Sequence, residues 1–401
     1  MTQVEAHAQR VRDPGGVGRR RAPRVTRARA GNVVVVGGSA AGLFAAELLA
    51  RGGRRVQLFD AGEAPPLPRT LIVTARLSDV LGFVPDTAIV NRLTSVKLVS
   101  PKRTAVVTMK APDLIVERGA ILRVLRERAI EAGVDVCTGH RFVGIRASGA
   151  AATLSFRDLK RDVVLDVSAA TVVGADGGFS SVAKCVERRV RETVPIVQAV
   201  VPLPTDADPA QTVVWFDPVL TPYFFWSIPE ARGRTAVGLI ARDGRTAKET
   251  LDRFLKSLGV APIELQAARV PLFHRSPRPW ARLGASDVYL TGDAAGQVKV
   301  TTVGGLVTGL RGARAVADSI LTGVPYDKTL RALDRELDVH RWVRAALNHF
   351  RPDDYDRLLG LLDAPTRKYL GSYTRDELGR TFLRLLTTQP RLLRFAMRLI
   401  A

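Results

Sequence analysis

VVVVGGSAAG, running from Val33 to Gly42, is the stretch that decides the fold. Four successive valines read as a strand buried on both faces, as strands of a parallel sheet are. The glycines after them open a helix expected over Ala41 to Arg51, and a second β run follows at Arg55 to Phe59. Strand, glycine turn and helix in that order are the setting of a dinucleotide-binding fingerprint. Gly37 permits the tight turn and Gly42 lets the helix lie close on the strand. Free amides around Gly38, Ser39 and Ala41 then face a pyrophosphate with the helix dipole behind them. Ser39 stands where the fingerprint has its middle glycine and adds a hydroxyl donor. Eighteen residues after Gly42, Asp60 ends the second β run, placed to accept from ribose hydroxyls and to select against a 2′-phosphate.

The remaining composition sets bounds. With 401 residues, 46% of them hydrophobic and 25% charged, the chain can fold two or three packed substructures. No apolar run approaches the roughly 18 residues of a membrane span. Two cysteines, Cys137 and Cys185, allow neither a disulfide framework nor a thiolate metal cluster and suit a reducing cytoplasm. His140, His274, His340 and His349 have no ligand or triad spacing, so no metal is expected. The formal charge of +21 is mostly arginine. It reads either as plain arginine enrichment or as attraction to lipid surfaces or phosphorylated substrates. Nucleic acid is not expected as a partner, because no helix-turn-helix, zinc-finger or RNP-like pattern accompanies the charge.

Five segments follow from the pattern. Residues 1–31, rich in Arg, Gly and Pro, read as a disordered basic tail. Residues 32–193 read as the first part of a nucleotide-binding domain, with a helix over Pro112 to Gly133 (Ile121, Leu122, Leu125 and Ala129 at helical spacing) and a strand at Val134 to Cys137. Residues 194–279 read as an antiparallel substrate sheet interrupted by one helix, Thr246 to Leu258. Residues 280–329 return to the nucleotide-binding domain with a strand at Val288 to Leu290 and a helix from Gly304 to about Leu321. Residues 330–401 are helical, with breaks near Pro352, Pro365 and Pro390. The fold class is α/β: a Rossmann-type domain with an inserted antiparallel sheet and C-terminal helices.

Two later motifs point to FAD over NAD. VVGADGGFSSVAK, Val172 to Lys184, resembles a strand-turn segment of flavin monooxygenases and places Asp176 at the cofactor, with Ala183 where an arginine is usual. YLTGDAAGQVKVTTVGGL, Tyr289 to Leu306, ends a strand at Gly292 and Asp293, where a carboxylate meets ribityl hydroxyls. Gly304 and Gly305 then bring bare amides to the diphosphate and the flavin edge before the next helix. Arg118 is counted with these cofactor-binding residues.

On these residues the chain resembles the geranylgeranyl reductase family, flavoproteins of the para-hydroxybenzoate hydroxylase fold. GDAAGQVKVTTVGGL is similar to that family's GDAAGQVKPTTGGG, with Val300 in place of the proline and Val303 in place of one glycine. FFWSIP, Phe224 to Pro229, is similar to its Tyr-x-Trp-x-Phe-Pro motif. The resemblance implies reduction of prenyl C=C bonds of an isoprenoid lipid, quinone or related compound by hydride transfer from reduced flavin. Such a chain binds through apolar area, at roughly 25 cal/mol per Å², so Tyr223, Phe224, Trp226 and Pro229 are expected at the substrate, with Trp215, Phe216 and Phe225 as further lining. The stretch Arg69 to Arg76 (RTLIVTAR) lacks the cysteine that some members carry.

FFWSIP also resembles the Trp-x-Trp-x-Ile-Pro signature of flavin-dependent halogenases, but those need a lysine soon after the first fingerprint and none lies between Gly42 and Lys97. A monooxygenase or halogenase-like enzyme on a small apolar substrate is the alternative, and a redox-silent flavoprotein or a cyclase using reduced flavin electrostatically is a third. With no second nucleotide fingerprint, NAD(P)H or another reduced carrier is expected only as a transient electron donor. The last helix, RLLTTQPRLLRFAMRLIA, sets Arg391, Arg394 and Arg398 among apolar residues, which suits either peripheral contact with an anionic bilayer or docking on the domain.

Overall fold

The computed structural model describes residues 32–62, 69–149, 151–187, 191–231, 233–392 and 395; the tail expected over 1–31 lies outside them. A six-stranded sheet runs in the order Trp280–Leu283, Ser286–Leu290, Thr171–Gly174, Asn32–Val36, Arg55–Phe59, Asp135–Cys137. Its pairings are parallel except the first, an antiparallel edge. The four valines split by pleat, as period-two geometry requires. Val33 and Val35 pack under the helices Ala40–Arg51, Arg118–Glu131 and Leu306–Thr322. Val34 and Val36 face Leu154 and Phe156 of a three-stranded sheet, His140–Ser148, Ala151–Asp158 and Val163–Ala169. Both faces are thus covered, which is why the run carries no polar residue.

The second large sheet has eight strands, in the order Glu264–Pro271, Thr193–Pro202, Arg234–Ile240, Phe225–Pro229, Gln211–Trp215, Ile89–Val99, Thr104–Glu117, Thr70–Val73. Its last three strands come from the stretch assigned to the nucleotide-binding part, so the sheet is not confined to residues 194–279. The two blocks join where Gln211–Trp215 pairs parallel with Ser95–Val99. Helix Ala247–Ser257 covers one face of this sheet through Leu251 and Leu255.

The helix expected over Pro112 to Gly133 is shorter. Leu114, Ile115 and Val116 are buried strand residues paired with both Thr70–Val73 and Ile89–Val99, and the helix begins at Arg118. Glu117 makes the break: its carboxylate accepts from the amides of Gly119 (2.7 Å) and Ala120 (2.6 Å), capping the orphan donors of the first turn.

Of the C-terminal helices, Pro352–Gly360 and Ala364–Gly371 lie against the eight-stranded sheet, while Arg331–Leu347 packs on Leu306–Thr322 and Leu378–Thr388 packs on Arg331–Leu347. Asp356 accepts from Ser100 Oγ at 2.6 Å and the Lys102 amide at 2.9 Å, and a Cβ at Gly371 would lie 2.0 Å from the Thr108 carbonyl oxygen. The expected last helix is interrupted: Leu378–Thr388 ends before the turn Pro390–Leu392. Phe395 is buried beside Phe350, and Arg394 and Arg398 lie outside the described residues. No helix among the described residues is long and apolar enough to cross a membrane.

Candidate cofactor and substrate site

Three separated stretches meet at the C-terminal end of the parallel strands, the place where open α/β sheets bind ligands. Gly37 adopts φ +106° and donates its amide to Phe59 O at 2.8 Å; a Cβ there would lie 2.5 Å from Ala175 O and 2.8 Å from Asp176 Cα. At Gly42 a Cβ would lie 2.1 Å from Gly37 O, and at Gly38 it would lie 2.7 Å from the Asp60 carboxylate. Ser39 caps the helix, its Oγ accepting from Gly42 N at 3.2 Å. Asp60 also has Arg126 4.0 Å away. The third stretch closes from the other side: a Cβ at Gly292 (φ +64°) would lie 2.9 Å from Ala41 Cβ, and one at Gly309 3.2 Å from Gly292 Cα.

The Gly292 turn is locked by groups that the sequence reading did not single out. Gln297 Oε1 accepts from Gly292 N (2.7 Å) and Thr291 Oγ1 (3.2 Å), its amide donates to Tyr326 Oη (3.2 Å), and Tyr326 donates to Leu290 O (2.9 Å). A Cβ at Gly312 would lie 1.8 Å from Gln297 Oε1, so this helix glycine makes room for the bridge. The spacing of Gln297 within GDAAGQ was the available signal. Tyr326 carried none.

The carboxylates differ in what they already hold. Asp176 accepts from Ser180 Oγ (2.5 Å), Ser181 N (2.7 Å) and Val182 N (3.2 Å), so it caps the helix Ser181–Glu187, and the backbone of Ala175 and Asp176 is what abuts Gly37. The Asp293 carboxylate has no hydrogen-bond or ion-pair partner among the described residues. Burial raises its pKa, opposed by Arg118. Gly305 precedes the helix Leu306–Thr322, and a Cβ there would lie 3.0 Å from Asp293 Oδ1. Two further polar atoms, Thr302 Oγ1 and Trp226 Nε1, are buried without a partner among the described residues. A glycine cradle of backbone amides, an unpartnered carboxylate and a helix N-terminus fit an adenine dinucleotide bearing hydroxyls and a phosphate pair.

The sheet of eight strands supplies the apolar side. Tyr223, Trp226 and the half-buried Phe224 share one cluster with Val298 and Val303 of the third stretch. Arg344 holds Tyr223 from behind, its guanidinium 4.5 Å from the ring centre while donating to Pro222 O at 2.6 Å. Gly238 on the adjacent strand leaves space for the indole, since a Cβ there would lie 2.6 Å from Trp226. Pro229 closes the strand opposite Thr235, its carbonyl accepting from Asn91 at 3.1 Å. Two expected lining residues are elsewhere: Trp215 and Phe225 pack on Phe254 of the covering helix. Phe216 stays beside the wall, edge-on to Phe224 at 6.4 Å and stacked on Tyr355 at 4.6 Å. Strand alternation explains it: Phe225 points away from the face shared by Phe224 and Trp226.

Residues 31–323 match the family model of the FAD binding domain. The chain is 29% identical over 322 residues to the geranylgeranyl diphosphate reductase of Rhodobacter capsulatus, covering 74% of this chain and 77% of the relative. It is 26% identical to digeranylgeranylglycerophospholipid reductase 1 of Methanopyrus kandleri, covering 74% and 82%. Among solved structures it is similar to a geranylgeranyl bacteriochlorophyll reductase-like protein from Thermoplasma acidophilum, with TM-score 0.75 and 17% identity over 91% of this chain and 99% of that one. At that identity the structural likeness speaks for the fold.

Proposed function

Because this chain belongs to the FAD binding domain family, in its geranylgeranyl reductase branch, we propose that it uses FAD to reduce C=C bonds in the prenyl chain of an isoprenoid lipid, quinone or related compound. The observation that carries the reading is the shared cluster of Tyr223, Phe224 and Trp226 with Val298 and Val303, because it sets an apolar wall directly against the dinucleotide cradle.

In this reading Gly37, Gly38, Ser39, Ala41 and Gly42 hold the pyrophosphate and Asp60 the ribose. Asp293 accepts from the ribityl hydroxyls, Gly304 and Gly305 present amides to the ring edge, and Arg118 adds a cation beside Asp293. Bound FAD supplies the electron pair. The aromatic wall removes prenyl surface from water, at roughly 25 cal/mol per Å², and orients a chain that has no polar handle. NAD(P)H or another reduced carrier delivers electrons transiently. The basic C-terminal segment containing Arg391, Arg394 and Arg398 brings the protein to an anionic bilayer; equal liposome co-sedimentation of full-length and truncated protein would remove that part.

The test is anaerobic. Holoenzyme reduced with dithionite is mixed with geranylgeranyl diphosphate or a digeranylgeranyl glycerophospholipid. Flavin absorbance is followed, and products are weighed for gains of two mass units per bond. Reoxidation by either lipid with that gain is expected. Reoxidation only by oxygen, with an oxygenated product, would replace the reading with the monooxygenase one.

A further inference from the structure

Resting on that placement of FAD, we infer that Lys299, held by Asp376, tunes the reduction potential of the flavin from beneath the Gly304–Gly305 turn. Lys299 is 6% exposed, and its Nζ lies 2.5 Å from Asp376 Oδ1. The other carboxylate oxygen accepts from Thr74 Oγ1 at 2.5 Å. A lysine ammonium has three donors, and its one hydrogen bond among the described residues is the one to Asp376.

Position gives the cation its role. Lys299 N donates to Gly304 O at 3.3 Å, Val303 N donates to Lys299 O at 2.7 Å, and a Cβ on Gly304 would lie 3.5 Å from Lys299 Cε and 3.7 Å from Nζ. The ammonium is therefore tucked against the turn, while no Asp376 atom is among that position's three nearest neighbours. Around the pair, His340 accepts or donates at 2.6 Å to Thr301 Oγ1, and Arg375 is paired with Asp113. Burial lowers the His340 pKa, keeping that ring neutral near pH 7. At Gly304 the nearest charged group is the Lys299 ammonium, which burial disfavours and Asp376 favours, with Asp376 as a more distant opposing charge; at Gly305 it is the Asp293 carboxylate, 3.0 Å from a Cβ there.

Reduction adds negative charge to a bound flavin. A buried cation beside it acts through a low dielectric, little screened by salt, and adds to the dipole of the helix Leu306–Thr322. Lys299 favours the reduced state and Asp376 opposes it. A pair that served only to pin the C-terminal helices would not produce opposite signs.

The experiment measures the potential of bound FAD by equilibration with a redox dye at pH 7 in wild type, Lys299→Met, Asp376→Asn and the double variant. Lys299→Met is expected to shift the reduced-to-oxidised ratio about tenfold toward oxidised, about 30 mV for a two-electron couple. Asp376→Asn shifts it the opposite way. The double variant, which leaves no unpaired buried charge, folds and shifts in the Lys299→Met direction by less. Single variants moving the same way, or a double variant indistinguishable from wild type, would overturn the inference while the FAD reading stands. Wild-type protein that takes up no FAD overturns the cofactor placement and this inference together.

Discussion

Two turns face each other across the dinucleotide cradle, and they are made differently. The first, Gly37 to Gly42, puts glycine wherever the backbone turns left-handed or two segments touch: φ +106° at Gly37, and no space for a Cβ at Gly42. The second, Gly292 to Gly305, also has left-handed glycines at Gly292 and Gly296, yet holds Val303 at φ +54°. A β-branched residue there is an outlier, costing about 1–2 kcal/mol. It persists because its side chain is 6% exposed, packed with Tyr223, Trp226 and Val298. The first turn gets its shape from its own residues, whereas the second gets it from a sheet that arrives from elsewhere in the chain.

The hardest way to break that contrast is at the first turn. Gly42→Ala drives a methyl against the Gly37 carbonyl, 2.1 Å away and unable to yield because Gly37 is bonded to Phe59 O and lies tight against the Ala175 backbone. A loss of about 3 kcal/mol, at the upper end for overpacking, is expected, together with protein that purifies without yellow colour. Retention of stoichiometric FAD would show that the turn is softer than its geometry implies.

Asp293→Asn probes the second turn through charge. The Asp293 pKa is raised in the folded protein, so its ionised form is less stable folded than unfolded. A raised acid favours the fold fully below the unfolded pKa, near 3.9, and that contribution is lost as pH rises through the folded value. Wherever the pH exceeds the folded value, the apoprotein carries a carboxylate with no hydrogen-bond partner among the described residues. Asn at this position should stabilise the apoprotein by about 1–3 kcal/mol in urea unfolding, with the gain shrinking toward pH 4. FAD binding, followed by flavin fluorescence, should weaken by roughly 10- to 100-fold, since a hydrogen bond to a charged group contributes about 1.5–3 kcal/mol. If Asn weakened both, Asp293 would be structural.

The same contrast explains what was legible in the sequence. Val33 to Gly42 could be read because every constraint on it is local: a buried strand, a turn and a helix start within ten residues. Residues Leu114 to Val116 read as helix because Ile121, Leu125 and Ala129 impose helical spacing just beyond, and nothing nearby reveals that Thr70–Val73 and Ile89–Val99 flank them. The eight-stranded sheet was half hidden for the same reason, its junction joining Ser95 to Gln211. Lys299 stands within GDAAGQVK, but nothing in the sequence pairs it with Asp376, 77 residues further on. The aromatic wall could have been sharpened from sequence alone, because period two along Phe224 to Pro229 already separates Phe225 from Trp226.

Val303 gives the smallest effect and the finest test of the comparison. Val303→Gly removes about 1–2 kcal/mol of backbone strain. It also gives up about 1.5–3 kcal/mol of side-chain burial and about 0.5–1 kcal/mol through the freer unfolded chain. The balance is a net loss of about 1.5 kcal/mol in denaturant unfolding. Val303→Ala gives up most of the same burial but keeps a Cβ at φ +54°, so it retains the strain. The alanine variant should therefore be no more stable than the glycine variant, the reverse of the order at ordinary backbone positions. If alanine proves clearly the more stable of the two, the left-handed conformation is not imposed by the turn, and the valine holds its place through packing alone.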